Sequence, residues 1–309
     1  MRPRTRRDVL RTSALAALAV PLTACATGYS DDPDPLALLA EQARSDAAAA
    51  DAVAAASGGD ADVARQYAAA RTAHAQALQY EVDRLNRPKS PVQAVVPAEQ
   101  GMAGLKQRLA TARRQAEGLV DGLPRYRAGL VAAVAGGCAG LQRVGTKLGP
   151  GTDPGQVTAP ASAIPPESVG PVQRALSAEH AALWIYGLVS AFLPDNYRAG
   201  VAEGTADHHD RRDACVRMLA GVGVEPEPAE PAYIAPRPVT DPTSAKSVVG
   251  IAEADAATAW RGVLEQTDDA GLRSVALKAL LGSARRGTRW REAAGEQPVA
   301  IVLPGAPQT

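Results

Sequence analysis

Residues 172–186 read VQRALSAEHAALWIY, and within them Val172, Leu176, Glu179, Leu183 and Tyr186 recur at spacings of 4, 3, 4 and 3. That period is one face of a helix, so the carboxylate of Glu179 falls in the middle of an apolar stripe. Outward from this helix the same period continues. The second half divides into helical segments near 170–192, 195–222, 244–266 and 268–293, broken by Pro194, by a proline-dense run from Gly223 to Pro242, and by Asp268-Asp269 as an N-cap. The first half gives segments near 36–56, 61–86, 98–121 and 125–144. Ser57 to Asp60, the run Pro88 to Pro97, and Gly122-Leu123-Pro124 separate them. No stretch shows the period of two that a half-buried strand requires.

Composition agrees with an all-α fold. Hydrophobic residues make up 46% of the 309, but aromatics only 4%, with one Phe, so the apolar content is mostly small side chains suited to close helix packing. Basic and acidic residues balance at 33 each, and no basic footprint for nucleic acid is present. Connection lengths set the topology. In each half the outer connections are short, as antiparallel neighbours need, while the middle one is long, about 11 residues in the first half and about 21 in the second. The expected architecture is two antiparallel four-helix bundles, at 36–145 and 170–294. A Gly/Pro-rich linker over 146–169 joins them and a disordered tail over 295–309 follows. A long crossover between second and third helices is the ferritin-like arrangement. Arg71-Thr72-Ala73-His74 and Gly204 to His208 are weakly alike, which leaves a duplication of the two halves open.

The beginning of the chain reads as a targeting segment. Thr5-Arg6-Arg7-Asp8-Val9-Leu10-Arg11 resembles the twin-arginine export motif, with Arg6 and Arg7 as its pair. A short Ala-rich apolar stretch then closes on Leu22-Thr23-Ala24-Cys25, which resembles a bacterial lipobox. Residues 1–24 are the expected signal peptide, Cys25 the lipidated residue, and 25–35 a tether to the outer face of the cytoplasmic membrane. Without residues 1–24 the chain carries 28 basic and 32 acidic groups, a net charge of 28 − 32 = −4 with His neutral, so attachment would rest on the lipid. Cys138 and Cys215 remain, one in each half, either bridged or separately buried.

Residues 170–293 resemble the bacterial ferritin-like domain catalogued as domain of unknown function 4439. The likeness rests on Ala178-Glu179-His180-Ala181-Ala182 with Tyr186-Gly187, on His208 to Ala214, on Pro231-Ala232-Tyr233 and Pro238-Val239-Thr240, on Ala252 to Ala257, and on Arg286 to Trp290. The resemblance implies a fold and no activity. A ferritin-like di-iron site takes a carboxylate from each of two helices and a Glu-x-x-His pair from each of the other two. Here Glu179 is correctly placed, and the stripe Tyr197, Val201, Gly204, His208, Arg211 and Cys215 turns His208 inward, but Thr205 stands three residues before it. Glu253 can lie beside the stripe Val249, Ala256, Trp260 and Val263. The fourth helix has neither an acid nor a His between Asp269 and Glu292, and offers Ser283 and Arg286 instead.

A buried Glu179 needs a partner. One reading gives it a guanidinium from Arg211, Arg212 or Arg286, with no cofactor. The other gives it a single iron or zinc ion held by Glu179, His208 or His209, and Glu253. His74 reads as a solvated or core-edge residue, and Trp184, Trp260 and Trp290 as filling between helices. No Gly-rich phosphate loop, nucleophile elbow or Cys-x-x-Cys occurs. The functional expectation is an exported lipoprotein with a non-catalytic interaction or scaffold role towards an envelope protein. The alternative is a ferritin-like oxidoreductase or metal-storage protein with a reduced ligand set.

Overall fold

The computed structural model describes residues 34–56, 58–84 and 101–306. Cys25, Arg6 and Arg7, with residues 1–24 and most of the tether, lie outside the described residues. Among the described residues there are eight α-helices and no strand: α1 Pro35–Ala56, α2 Ala61–Arg84, α3 Gly101–Leu119, α4 Arg125–Leu141, α5 Val169–Val189, α6 Arg198–Ala220, α7 Pro242–Leu264 and α8 Ala270–Ala294. None of these helices is long and apolar enough to cross a membrane.

In the first half α1 packs on α2 and α3, and α4 packs on α3; in the second, α5 packs on α6 and α7, and α7 on α8. The crossover between α6 and α7 ends on a capping box. The Asp241 carboxylate accepts from the backbone N–H groups of Thr243 and Ser244, each at 2.8 Å, and the Ser244 hydroxyl accepts from the Asp241 N–H at 3.0 Å. Pro242 occupies the first helical turn, where its missing N–H costs nothing. Asp269 caps α8 through the Leu272 N–H at 2.7 Å, and Gly295 ends it in the left-handed conformation at φ 73°.

The halves are not independent bundles on a string. α4 packs on α7 and α8 as well as on its own neighbours, and one apolar cluster runs from Leu36, Leu78 and Val131 through Leu176 and Leu219 to Trp260 and Leu280. Beyond its first turn, from Ala128 to Leu141, α4 is almost wholly buried and apolar all round, AGLVAAVAGGCAGL, with small residues at the contacts. A Cβ at Gly136 would lie 2.6 Å from Leu280 of α8, so a larger residue there would hold the two halves apart.

Two expectations change here. The segment 146–169 is not a free linker: Val157 and Ile164 are buried in the shared core, and the carbonyls of Pro150 and Thr152 accept hydrogen bonds from Arg285 at 3.0 Å and Arg113 at 2.7 Å. Nor is the expected tail disordered over 295–306. Val299 and Ala300 are buried against Val53, Tyr67, Leu105, Cys138 and Leu141, so the end of the second half completes the core of the first. The apolar run Ala300-Ile301-Val302-Leu303 supplies the driving force.

Candidate functional site

Four helices deliver one buried polar cluster to the core of the second half. The stripe of α5 puts Glu179 and Tyr186 inward, α6 contributes His208 and Arg211, α7 contributes Glu253 and Trp260, and α8 contributes Ser283, Arg286 and Trp290. Glu179, His208 and Glu253 have no exposed surface. Tyr186 reaches the cluster because its facing residue is Gly204, where a Cβ would lie 2.3 Å from the phenol ring.

His208 sits between the two carboxylates. Its Nδ1 lies 2.5 Å from Glu179 Oε2 and its Nε2 lies 3.3 Å from Glu253 Oε1. Both neighbours are acceptors, so both ring nitrogens carry protons and the ring is an imidazolium. The Trp260 indole donates to Glu179 Oε1 at 2.6 Å, and the Tyr186 hydroxyl donates to Glu253 Oε1 at 2.6 Å while accepting from Trp290 at 3.2 Å. Arg286 grips Glu253 through Nε at 2.7 Å and Nη2 at 3.3 Å, and its Nη1 donates to Asp207. Arg211 donates to Ser283 Oγ at 2.7 Å and comes no nearer to Glu179 than 4.0 Å. Three cations thus face three carboxylates, counting the partly exposed Asp207.

The electrostatics follow from these distances. Burial pushes the Glu179 carboxyl up, but His208, Arg211 and the Trp260 N–H outweigh it and bring it below its ordinary value. Burial is likewise overcome at Glu253, which Arg286, His208 and Arg211 hold well below the carboxylate range. Burial opposes the charge on His208, yet Glu179 and Glu253 raise its pKa. Arg211 goes the other way: burial, then repulsion from Arg286, lowers it.

The structure brings Glu179, His208, Arg211, Glu253 and Arg286 together and leaves two candidates outside. His209 is exposed on the far side of α6, and Arg212 is a partly exposed partner of Asp213 at 2.7 Å. One helical position is a rotation of about 100°, which removes each from the inward face. The arginine expectation is also corrected in detail. The direct partner of Glu179 is His208, whereas Arg286 belongs to Glu253 and Asp207. Both ring nitrogens of His208 are engaged by carboxylates, and no group of three or more His, Cys, Asp or Glu among the described residues is arranged to hold a metal ion. Trp260 and Trp290 are hydrogen-bonding members of the cluster rather than filling alone, and Trp184 is half-buried against Tyr233, ring centroids 5.9 Å apart. Cys138 and Cys215 are separate buried thiols.

A second buried cluster lies in the first half, where His74 was expected at the solvent or core edge. His74 has no exposed surface. Its Nδ1 accepts from Arg71 at 3.0 Å and its Nε2 donates to the Val302 carbonyl at 2.7 Å, a pairing that only the neutral ring can make. Burial, reinforced by the charge of Arg71, pushes its pKa down to about 3. Arg71 in turn pairs with the fully buried Asp46 at 3.1 Å, which also accepts from Gln42 at 2.6 Å.

Residues 171–308 match the model of DUF4439, a domain of unknown function. Among solved structures, the crystal structure of a conserved hypothetical protein from Mycobacterium tuberculosis is similar at 34% identity, covering 42% of this chain and 99% of that one with a TM-score of 0.41. No curated protein matches.

Proposed function

We propose that this chain, with its DUF4439 domain at 171–308, is an envelope lipoprotein exported by the twin-arginine route and held at the membrane by the lipid on Cys25. Its helical body is a non-catalytic module that engages an envelope protein. The anchoring part is supported by the pair Arg6-Arg7 and by Leu22-Thr23-Ala24-Cys25. The observation that carries the non-catalytic part is the His208 imidazolium lodged between Glu179 and Glu253, with Arg286 closing on Glu253. A cation bound by these acids would have to displace two protons and a guanidinium, and would face Arg211.

Two measurements test the reading. Wild type grown with labelled palmitate should be acylated and Cys25→Ser should not; an acylated Cys25→Ser protein would refute the anchor. Purified protein mixed with ferrous iron should oxidise it no faster than buffer does. A saturable acceleration that Glu179→Gln abolishes would refute the non-catalytic reading.

A further inference from the structure

A cavity of about 420 Å³ opens beside the buried cluster, at the seam between the two halves. Its walls come from Arg143 just beyond α4, from the segment 153–157, from α6 and from α8, so residues outside the DUF4439 match help to build it. Six cations line it: Arg143, Arg211, Lys278, Arg285, Arg286 and Arg289. The four lining carboxylates are already engaged. Asp153 accepts from the Gly155 N–H at 2.8 Å, Asp210 from Gln156 at 2.9 Å, Glu203 from Arg289 at 3.0 Å, and Asp207 from Arg286.

Six cations therefore face four carboxylates, an excess of two positive charges on the lining. The side chains of Arg143 and Lys278 form no hydrogen bond or ion pair among the described residues. The Arg285 guanidinium donates to the Pro150 carbonyl at 3.0 Å and, among the described residues, to no carboxylate. Arg211 is 2% exposed, and its Nε is buried with no hydrogen-bond partner. Gly282 makes the room for that guanidinium, since a Cβ there would lie 2.3 Å from Arg211 Nη2. The cations also repel one another. Burial, then Arg113 and Arg143, pull Arg285 down to about 10, and burial followed by Arg289 lowers Arg143. A buried guanidinium with its Nε–H unsatisfied and its nearest carboxylate 4.0 Å away, beside mutually repelling cations, is costly unless an anion joins them.

We propose that this cavity binds a small phosphate-bearing anion, a phosphate ester or pyrophosphate, held by Arg143, Lys278 and Arg285 at the walls and by Arg211 at the floor. Groups converging from the turn after α4, from α6 and from α8 suit a tetrahedral anion, whose oxygens point in several directions; a carboxylate is planar and is satisfied by one guanidinium fork. The volume exceeds a single phosphate and lies within the range of about 300–1,000 Å³ typical of small-molecule sites. The site goes beyond the anchored-module reading and does not depend on it, because these cations are present whether or not Cys25 is acylated.

The test is calorimetric titration of the full chain in detergent at low ionic strength, with inorganic pyrophosphate, inorganic phosphate and citrate. Pyrophosphate should bind at one saturable site, more tightly than citrate, and more weakly as salt is added. Arg143→Gln and Lys278→Gln should each weaken it about tenfold or more, since each removes a charge-assisted contact. Arg174→Gln, an exposed control on α5, should leave it unchanged. Vesicles of phosphatidylglycerol distinguish the source of the phosphate. Displacement of pyrophosphate by them identifies a lipid headgroup as the occupant, and failure to displace it identifies a soluble phosphate compound. The proposal is overturned if pyrophosphate gives no saturable heat, if both variants bind like wild type with unchanged circular dichroism, or if citrate binds as tightly.

Discussion

Replacing Arg286 by Leu should be among the most damaging single changes in the second half. Arg286 is 5% exposed and gives Glu253 two hydrogen bonds, at 2.7 and 3.3 Å. Without it the hydrogen bonds left to Glu253 among the described residues are those from the Tyr186 hydroxyl at 2.6 Å and His208 at 3.3 Å, and its side chain has no exposed surface. Removing one partner of a buried pair costs about 3–5 kcal/mol, because the other charge is left uncompensated. Asp207 also loses its partner, but its side chain is 42% exposed and solvent replaces most of that interaction. At about 2–4 °C per kcal/mol for chains of roughly this size, the midpoint should fall by about 6–20 °C. Urea titrations of wild type, Arg286→Leu, Glu253→Gln and the double variant supply the cycle. Glu253→Gln in the Arg286→Leu background should recover part of the loss, giving a coupling energy of about 1–3 kcal/mol. A loss under about 1 kcal/mol for Arg286→Leu, or strictly additive variants, would refute the view that Glu253 depends on this guanidinium.

Three further outcomes follow from the same geometry. The two buried histidines should give opposite pH slopes. His74 is pushed down to about 3, so its stabilisation is complete above about pH 6.5 and is lost as pH falls towards 3; His208 is raised, so its stabilisation is complete below about pH 6.5 and is lost as pH rises through the raised value. His74→Gln should flatten the acid side of the stability profile and His208→Gln the alkaline side, and unchanged slopes would contradict the assigned protonation states. Gly204→Ala should destabilise by about 1–3 kcal/mol because its Cβ would meet the Tyr186 ring, whereas helix propensity alone predicts a gain, so the sign in a thermal melt decides. Deleting residues 296–309 should lower hydrogen-exchange protection in α2 and α4, where Val299, Ala300 and the Val302 carbonyl are lodged; protection equal to wild type would show that the segment is not part of that core.

Much of this was legible from periodicity. The stripes of α5 and α6 identified Glu179 and His208 as inward, because a period near 3.6 survives in the sequence; Glu253 lay beside its stripe, and Arg286 was found by its level along the bundle rather than by periodicity. The pairing within the cluster was not legible. Which of three arginines meets which acid depends on axial offsets between helices, and helical periodicity contains nothing about offsets. The roles of Trp260, Tyr186 and Trp290 were hidden because their polar tips look apolar to a pattern count, although Tyr186 shares its stripe with Glu179 and Glu253 lies beside the stripe of Trp260. The first-half cluster carried a signal. Leu39, Ala43, Asp46, Ala50 and Val53 recur at the same spacings of 4, 3, 4 and 3 as the stripe around Glu179, with an acid at the same place. The packing of 146–169 and 295–306 was not legible, because Gly- and Pro-rich segments have no period and their few apolar residues find partners only in the assembled core.

The central claim is that protons and guanidinium groups, rather than a metal ion, neutralise the buried acids of the second half. Elemental analysis of protein purified from its native membrane without chelator tests it most directly. Iron, manganese and zinc should each fall far below one per chain, with the melting midpoint unchanged by chelator. A stoichiometric metal that Glu179→Gln or Glu253→Gln releases would contradict the claim.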